Sequence, residues 1–381
     1  MSEWQKVNLG DCCEITSSKR IFFSEYVESG IPFYRSKEII EKGKGEEISH
    51  PLYISKEKYD EIKGKYGVPQ KGDLLLTAVG SLGIPFVVKD DSPFYFKDGN
   101  LVWLKHFQDI DPIFLYYWIK SENGYNALYN IASGAAQKAL TIAAIKGYEI
   151  PLPPLQTQHR IANILSRYDS LIENYQKQIK LLEEAAQRLY KEWFVDLRFP
   201  GHENTKIVDG VPEGWEKKSI TDVLEIKYGK DHKLLKEGTI PVYGTGGIMR
   251  YVEKSLFTGE SVLIPRKGSL NNIMLVGGTF WTIDTMFYSI PKENNVAKIV
   301  YFYLKGVDMY SFNIGAAVPS MTVNILSGMK LLVPNEDVKN KFETIASKYF
   351  IRMHSLQSQL RLLTEARDRL LPKLMSGEIE I

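Results

Sequence analysis

The sequence contains only two cysteines, and they are adjacent, Cys12 and Cys13. Two neighbouring thiols are poorly placed to cross-link distant parts of a chain, which argues against a disulfide framework and favours a reducing compartment. The chain also lacks an apolar run of membrane-spanning length, and its first residues, MSEWQKVNLG, do not form an apolar signal segment. These absences predict a cytoplasmic protein.

A strong net charge is absent as well. The 48 lysines and arginines are nearly balanced by 46 acidic residues, which leaves a net charge of +2. Any face that binds nucleic acid must therefore be a local concentration of basic residues. With 381 residues, of which 44% are hydrophobic, the chain is too long for one ordinary core and predicts two or more globular domains.

Motifs for catalysis are missing. There is no GxxxxGK[ST] phosphate loop, no GxSxG elbow, and no metal-ligand spacing among the six histidines. The only Pro-Pro pair lies in LPPL, so the Asn/Asp-Pro-Pro-aromatic tetrapeptide of adenine methyltransferases is absent. The stretch DVLEIKYGK carries Asp222, Glu225 and Lys227, but their spacing is tighter than in metal-dependent nucleases and predicts a charged outer strand face. The sequence thus predicts no active site, metal or cofactor on this chain.

A long internal repeat is the dominant positive feature. The stretch SGAAQKALTIAAIKGYEIPLPP of the first half aligns with IGAAVPSMTVNILSGMKLLVPN of the second, so that Thr141 matches Thr322. The same register continues into LLEEAAQRLY, which begins at Leu181, and LLTEARDRLL, which begins at Leu362. Near the start of each half, EWQKVNLGDCCEI resembles GWEKKSITDVLEI at a larger offset, as expected if the loops differ in length. The chain is therefore a two-copy tandem duplication.

An apolar stripe with alternating spacings of three and four residues follows the repeat in each half, and this pattern predicts a coiled-coil seam. Only Arg367 interrupts the second stripe. The predicted seam residues are Ile161, Leu165, Tyr168, Ile172, Tyr175, Ile179, Leu182, Leu189 and Trp193 in the first helix, and Phe342, Tyr349, Met353, Leu356, Leu360, Leu363, Leu370 and Leu374 in the second.

Each helix could instead pack only on its own globular domain. A helix over residues 157–194 would be about 55 Å long at ~1.5 Å per residue, more than such a domain needs. We therefore expect the two helices to pair antiparallel, because the chain returns through a globular domain between them. The charged outer faces of the helices are either solvated or bind partner helices, and the sequence leaves both open.

The globular segments contain short β-branched and aromatic runs separated by Gly, Asp, Asn and Pro, as expected for strands. The predicted fold class is α+β: two strand-rich heads separated by two long helices that form an antiparallel coiled coil, with an internal pseudo-two-fold repeat. The predicted divisions are a first head at 1–152, a first helix at 153–200, a linker and second head at 201–334, and a second helix at 335–381.

The head-plus-helix duplication, the helix start IPLPPLQTQHRIANILSRYDSLIE and the terminus LLPKLMSGEIEI together resemble the DNA-specificity subunit of type I restriction–modification systems. The second helix start, LLVPNEDVKNKFETI, departs from the family pattern. The resemblance implies a non-catalytic subunit in which each head is a target-recognition domain for one half of a bipartite double-stranded DNA sequence. It also implies helices that set the unread spacer and dock two modification subunits, which carry S-adenosylmethionine and methylate adenine. Restriction subunits would complete the complex.

Polar and basic residues in loops between strands are the candidates for DNA contact, because Arg pairs with guanine and Asn or Gln with adenine in the major groove. Each lysine or arginine could equally be a solvated surface charge, and Tyr34 and Tyr243 could instead cap the core. The candidates are Lys19, Arg20, Tyr34, Arg35, Ser36, Lys37, Thr77, Ser81, Gln137 and Lys138 in the first head, and Lys230, Tyr243, Thr245, Arg266, Lys267, Ser269, Asn271 and Asn272 in the second.

Two other functions compete with this interpretation. One is an assembly scaffold that uses the coiled coil without sequence-specific DNA binding, and the other is a degenerate nuclease. The basic and amide-rich loops YRSK and PRKGSLNN weigh against the scaffold, and the missing motifs weigh against the nuclease.

Overall fold

A computed structural model describes residues 4–134, 138–312 and 320–381. The chain divides into two compact units, the first made of Met1–Lys177 with Gln357–Ile381 and the second of Gln178–Leu356. No helix among the described residues combines the length and the apolar character needed to cross a membrane. Both cysteines are buried and free.

The first unit contains two four-stranded sheets, ordered β2-β9-β6-β7 and β3-β5-β4-β8, and the strand pair β1-β10. All of these pairs are antiparallel except β4 with β8, which run parallel. Its strands are β1 (Gln5–Asn8), β2 (Glu14–Thr16), β3 (Tyr26–Val27), β4 (Ile31–Tyr34), β5 (Leu52–Ile54), β6 (Leu74–Thr77), β7 (Pro85–Val87), β8 (Tyr95–Phe96), β9 (Leu101–Lys105) and β10 (Glu149–Leu152).

The helix α4 lies in the core of the first unit. It begins at Pro112, a favoured first helical position, and the Asp111 carboxylate accepts the Ile113 and Phe114 amides at its N-terminus. The helices that begin in this unit are α1 (Leu9–Cys12), α2 (Ser36–Gly43), α3 (Lys56–Tyr66), α4 (Pro112–Lys120), α5 (Glu122–Asn130), α6 (Ile142–Lys146) and α7 (Leu155–Tyr190).

The second unit repeats this plan. Its four-stranded sheets are ordered β14-β21-β18-β19 and β16-β15-β20-β17, its pair β13-β22 corresponds to β1-β10, and β15 runs parallel to β20 as β4 does to β8. Its elements are β11 (Ile207–Val208), β12 (Val211–Pro212), β13 (Glu216–Ser219), β14 (Leu224–Tyr228), β15 (Glu237–Gly244), β16 (Gly247–Val252), β17 (Phe257–Thr258), β18 (Ser261–Pro265), β19 (Met274–Val276), β20 (Thr279–Thr282), β21 (Met286–Pro291) and β22 (Lys330–Val333), with helices α8 (Ile220–Val223), α9 (Ala297–Lys305), α10 (Val323–Gly328) and α11 (Glu336–Met375).

The two repeated threonines have the same structural role. The Thr141 hydroxyl accepts the Ala144 amide at the start of α6, and the Thr322 hydroxyl accepts the Ile325 amide at the start of α10. Such a side chain satisfies one of the amides that the first turn of a helix leaves unpaired. The repeat in the sequence therefore preserves a helix cap, which fixes where the chain turns towards β10 or β22.

Within the first unit, the start of α7 packs beside the end of α11. Ile161 and Leu165 share a buried cluster with Leu374 and Met375. That cluster also includes core residues of the first head, so the helix ends both pair with each other and cover the first head. At this end, the start of α7 therefore both packs on its own head and pairs with the other long helix, the two arrangements considered from the sequence.

Arg367, the interruption in the predicted stripe, forms an ion pair within the first unit. Its Nη1 donates to Oδ1 of Asp169 at 2.7 Å, and the Tyr117 hydroxyl donates to the other oxygen of that carboxylate at 2.8 Å. Burial would lower the pKa of Arg367, but its hydrogen bonds to Asp169 and Asp368 outweigh this effect and the pKa is raised. The charge in the seam is thus compensated by a partner on the facing helix.

We expect Asp169→Ala to destabilise the first unit by about 1.5–3 kcal/mol, because the half-buried guanidinium and the Tyr117 hydroxyl lose their shared acceptor. A double-mutant cycle with Arg367→Ala, measured by urea unfolding, should give a coupling energy of about 1–3 kcal/mol. Asp368→Ala is the matched control, because it removes only the exposed partner of Arg367. Additive effects of Asp169→Ala and Arg367→Ala would contradict the proposed coupling.

Within the second unit, the end of α7 and the π-helical turn that continues it, Lys191–Val195, pack beside the start of α11 through aromatic rings. Phe342 lies edge-on to Phe194, with ring centroids 4.8 Å apart, and within 5.9 Å of Trp193. Nearer the middle of the helices, Arg352 donates to Gln178. Residue numbers rise along one helix as they fall along the other, so the helices run antiparallel here as they do in the first unit.

The fold class predicted from the sequence is confirmed: the protein is α+β, with a strand-rich head before each long helix and the same plan in both copies. All seventeen predicted seam residues are buried or half-buried. Four neighbouring apolar residues off the stripe, Leu171, Leu181, Ile351 and Leu362, are exposed. The burial of the seventeen predicted residues agrees with a seam. The assignment of each of them to the seam stays a prediction.

Candidate nucleic-acid interface

Several loops of the first head meet at one edge of its sheets. Because β4 and β8 are parallel, both strands end at this edge, and the Lys97 amide donates to the Tyr34 carbonyl at 2.8 Å. The Asn100 carbonyl accepts the Ser36 hydroxyl at 3.2 Å and the Ala78 amide at 2.8 Å. The loops after β4, β6 and β8 are thereby joined through one backbone oxygen.

Two further segments complete this surface. Arg20 pairs with Asp98 at 2.9 Å, which fixes the loop after β2 to the loop after β8. The Leu140 amide donates to the Ala78 carbonyl at 2.9 Å, which brings the segment that contains Lys138 to the loop after β6. We call residues 18–23, 35–37, 78–83, 97–100 and 138–139 the first-head edge.

The second head has a corresponding edge. The Ile283 amide donates to the Tyr243 carbonyl at 3.1 Å, and the Lys230 amide donates to the Thr282 carbonyl at 2.9 Å. Asn272 Nδ2 donates to the Thr245 carbonyl at 2.7 Å, which attaches the loop after β18 to the loop after β15. We call residues 229–235, 243–247, 266–272 and 282–285 the second-head edge.

The structure brings the described DNA-contact candidates together on these two edges, except Tyr34 and Thr77, which end the adjoining strands β4 and β6. The candidates differ in exposure. Gln137 lies outside the described residues. Exposed candidates are Lys19, Arg20, Lys37, Ser81, Lys138, Lys230, Lys267, Ser269 and Asn271; half-buried ones are Arg35, Ser36, Tyr243, Thr245, Arg266 and Asn272; buried ones are Tyr34 and Thr77.

Several candidates use their polar groups inside the fold. The buried Thr77 hydroxyl donates to the Ser81 carbonyl and accepts the Ile84 amide, so it shapes the turn after β6 and does not reach a base edge. Tyr34 is also covered and packs on Phe94. Their physical role is to hold the edge loops, which a sequence pattern of polar loop residues does not distinguish from contact with a ligand.

Two candidates of the second head also restrain their own loops. Arg266 donates through Nη1 to the Asp284 carbonyl at 2.7 Å, and its guanidinium lies over the Tyr228 ring at 4.6 Å. Asn271 donates to Asp308 at 3.1 Å and accepts the Met309 amide at 2.8 Å. These contacts pre-form the second-head edge around Lys267 and Ser269.

Arg35 is held by Glu38, whose carboxylate accepts hydrogen bonds from the Arg35 side chain and backbone amide. Glu38 is buried at the start of α2. Burial would raise the pKa of Glu38, but the hydrogen bonds from Arg35 outweigh burial and the pKa is lowered. The pair orients residues 35–37, at the start of α2, on the first-head edge.

This pair predicts an acid-sensitive contribution to stability. Because the pKa of Glu38 is lower in the folded state, its contribution is present above the ordinary glutamate pKa of about 4.3 and is lost as the pH falls through the lower folded value. We therefore expect Glu38→Gln to reduce the melting temperature at pH 7 and to flatten its decline in acid. Glu46→Gln, at an exposed position, is the control. Equal acid profiles for wild type and Glu38→Gln would contradict this assignment.

Lysines without an acidic partner give the edges their positive charge. Among the described residues, Lys19, Lys138, Lys230 and Lys267 form no ion pair. Lys138 instead lies over the Tyr129 ring at 3.7 Å, and Lys19 over the Tyr66 ring at 4.5 Å. Such lysines can contact phosphates without first breaking a salt bridge.

Sequence reasoning did not identify Lys97, Asp98 and Asn100 as parts of the first-head edge. The stretch FYFKDGNLVWL of the first half aligns with FWTIDTMFYSI of the second and matches Asp98 with Asp284. This match was an available signal, since Asp98 pairs with Arg20 and the Asp284 carbonyl accepts Arg266. These contacts join loops that are far apart in sequence, and the loop lengths of one chain do not reveal them.

The nuclease-like cluster is explained by local contacts. The Asp222 carboxylate accepts the Ser219 amide in the cap of α8, and Lys227 pairs with Glu225 on the outer face of β14. No group of three or more His, Cys, Asp or Glu suited to a metal ion occurs in the part of the chain that the structure describes. These residues thus make structural contacts.

Comparison with known proteins gives one consistent family. The sequence profile of the type I restriction modification DNA specificity domain matches residues 1–184 and 212–356. The MjaIX type I restriction enzyme specificity subunit of Methanocaldococcus jannaschii is 27% identical over 356 residues, which are 82% of this chain and 78% of the relative. A putative type I restriction enzyme specificity subunit of Haemophilus influenzae is 34% identical over 187 residues, 49% of this chain and 45% of that one.

A solved structure has the same fold. The crystal structure of the S subunit of a type I restriction–modification system from M. genitalium covers 97% of this chain and 96% of its own, with a TM-score of 0.69 and 20% identity. The fold agrees over nearly the whole length, and the family profile matches well over half of the residues. The chain therefore belongs to the type I restriction–modification DNA-specificity family.

Proposed function

We propose that each edge reads one half of a bipartite double-stranded DNA target. The observation that supports this most directly is that lysines without an ion pair lie on both edges, Lys19 and Lys138 on one and Lys230 and Lys267 on the other, and that Lys19 and Lys230 occupy equivalent loops of the two heads. Phosphate contacts would position each head, and neighbouring polar side chains would read base edges in the groove.

The paired helices are proposed to set the distance between half-sites and to dock two modification subunits. In this proposal residues 1–152 and 201–334 form the target-recognition domains, and residues 153–200 and 335–381 form the spacer helices. A rigid spacer would make spacer length part of specificity, since one extra base pair rotates the second half-site by roughly 35° at about 10.5 base pairs per turn.

The chemistry would lie on partner subunits. S-adenosylmethionine would bind the modification subunits, which would methylate adenine, and restriction subunits would join the complex to cleave unmethylated DNA. This chain would contribute recognition and assembly and act in the cytoplasm. The relatives named above are themselves called specificity subunits of type I restriction enzymes.

Long-read methylation mapping tests the proposal. Cells would express this chain with the modification subunit encoded beside it, and matched cells would lack only this chain. We expect a split motif with a methylated adenine on each strand that depends on the chain. Absence of any new motif, with both proteins present and associated, would overturn the proposal in favour of an assembly scaffold.

The unpaired lysines predict a salt effect confined to one half-site. We expect Lys230→Ala with Lys267→Ala to weaken binding of the assembled complex and to reduce the slope of log K against log salt by about 1 for each phosphate that is no longer neutralised. Lys217→Ala is the control, because Lys217 is exposed on β13 and not in an edge loop. Equal slopes for the double variant and the wild type would contradict phosphate binding by these lysines.

A further inference from the structure

The two most exposed large apolar side chains among the described residues are Leu234, at 97%, and Phe23, at 86%. A single exposed apolar residue is ordinary and requires no explanation. These two, however, occupy the same position of the internal repeat. Continued without a gap, the alignment that matches Trp4 with Trp215 also matches Lys19 with Lys230 and Phe23 with Leu234.

Phe23 lies on the first-head edge and Leu234 on the second-head edge. The loop of Phe23 is attached to β8, where the Lys19 amide donates to the Tyr95 hydroxyl at 2.7 Å. The loop of Leu234 is attached to β20, where the Lys230 amide donates to the Thr282 carbonyl at 2.9 Å. The anchoring strands, β8 and β20, are the corresponding members of the two parallel strand pairs.

The backbone around each side chain is fixed. The Phe22 amide donates to the Glu25 carboxylate at 2.8 Å, and Lys58 pairs with the same carboxylate at 2.9 Å, which closes the turn that begins at Phe23. In the second head, the Leu235 amide donates to the His232 carbonyl at 3.1 Å, and Arg250 donates to the Leu235 carbonyl at 2.7 Å. A fixed turn presents its apolar side chain without a large loss of entropy on binding.

Positive charge accompanies each apolar side chain. Leu234 follows the exposed Lys233 and precedes the exposed Lys236, while Phe23 follows the exposed Lys19 in the same loop, where Arg20 is paired with Asp98. Glu25, the nearest acid to Phe23 in the sequence, is paired with Lys58. An apolar side chain flanked by cations suits a surface on which phosphates surround stacked bases.

We infer that Phe23 and Leu234 are wedges, one for each half-site, that insert against a base step, unstack it in part and bend the duplex. The inference rests on the proposed function. Proteins that bend DNA commonly insert Phe, Leu, Ile or Met between base pairs, and the extra contact surface offsets the cost of unstacking. The repeat preserves a large apolar side chain at this position but not its identity. That suits an insertion that tolerates different sequences better than it suits readout of one base.

Fluorescence of 2-aminopurine tests the wedge, because this base brightens when it leaves the stack. Duplexes that contain the mapped split target would carry the probe at successive positions other than the methylated adenines, since a modification subunit could itself unstack those. When such a duplex is bound to the complex of this chain with its modification subunits, we expect a base step with increased fluorescence in or beside each half-site. Phe23→Ala should abolish only the step at the first half-site, and Leu234→Ala only the step at the second.

Each variant thus controls for the other, and Phe22→Ala provides a matched exposed neighbour that should leave both bright steps in place. Phe23→Leu should retain the signal, because leucine occupies the equivalent position in the second head. If the wild-type complex methylates the split target but brightens no step, or if both alanine variants keep their bright steps, the wedge is wrong and the proposed function stands. If no split target exists, the proposed function itself has failed.

Discussion

The double substitution Leu182→Lys, Leu363→Lys should strongly reduce methylation of the split target, whereas Leu181→Lys with Leu362→Lys, at their exposed neighbours, should leave the helices paired. Each half-buried leucine contributes about 1 kcal/mol or more through burial, and a charge at the same place must also be desolvated or drawn out of the seam. Loosened helices could no longer hold two half-sites at one spacing, so we expect at least a tenfold loss of methylation, about 1.4 kcal/mol.

The neighbouring pair makes a close control. Leu181 and Leu362 occupy equivalent positions in the two copies and differ from the seam pair by one residue and by exposure. Thermal unfolding followed by circular dichroism should show destabilisation only for the Leu182→Lys, Leu363→Lys variant. Unchanged methylation by that variant would contradict the spacer proposal. Loss of methylation by the control variant at unchanged melting temperature would instead place partner contacts on the exposed face.

Alanine at Phe342 should destabilise the second unit by about 3–5 kcal/mol, the usual cost of emptying a buried aromatic site. Phe342 is fully buried, and its ring meets the rings of Tyr190, Trp193, Phe194 and Phe302. Edge-on aromatic pairs add to the burial term, and Phe342 joins the start of α11 to the end of α7 and to α9. A cavity at this place therefore weakens three elements together.

Calorimetry of the full chain measures this effect. Because the protein divides into two compact units, its unfolding need not be two-state, and each unit can contribute its own transition. Phe342→Ala should lower the transition of the second unit, while Ile161→Ala, at the equivalent buried position of the repeat, should lower that of the first. Phe342→Leu should cost less, because it keeps part of the apolar volume. Equal shifts of both transitions by Phe342→Ala would contradict local packing as the cause.

The family and the architecture could be predicted because they depend on regular signals. A heptad stripe, a repeat in constant register and capping threonines such as Thr141 and Thr322 are local patterns that fold in the same way in both copies. The motifs at the first helix start and the chain end indicated the family that the profile match shows. By contrast, Arg367 looked like a defect in the stripe, since its partner Asp169 is distant in sequence and only the antiparallel register brings them together.

The details of the two edges were beyond sequence reasoning for a physical reason. Whether a polar loop residue faces solvent or supports the loop depends on the atoms that close the turn, as Thr77 and Asn271 show. Arg35 and Glu38 are three residues apart and form a pair at the start of α2. The burial of Glu38, which makes this pair important for stability, comes from the tertiary fold and is not visible in the local sequence. The individual DNA contacts therefore stay predictions.

The composition of the first unit, which unites residues 1–177 with residues 357–381, has a consequence for synthesis on the ribosome. Domains usually fold in the order in which they are translated, yet the segment that completes the first unit is made after the whole second unit. Until Leu374 and Met375 emerge, the apolar residues that they cover, including Ile161 and Leu165, lack part of their packing. The second unit can thus mature first during translation, and the unit begun earliest becomes stable last.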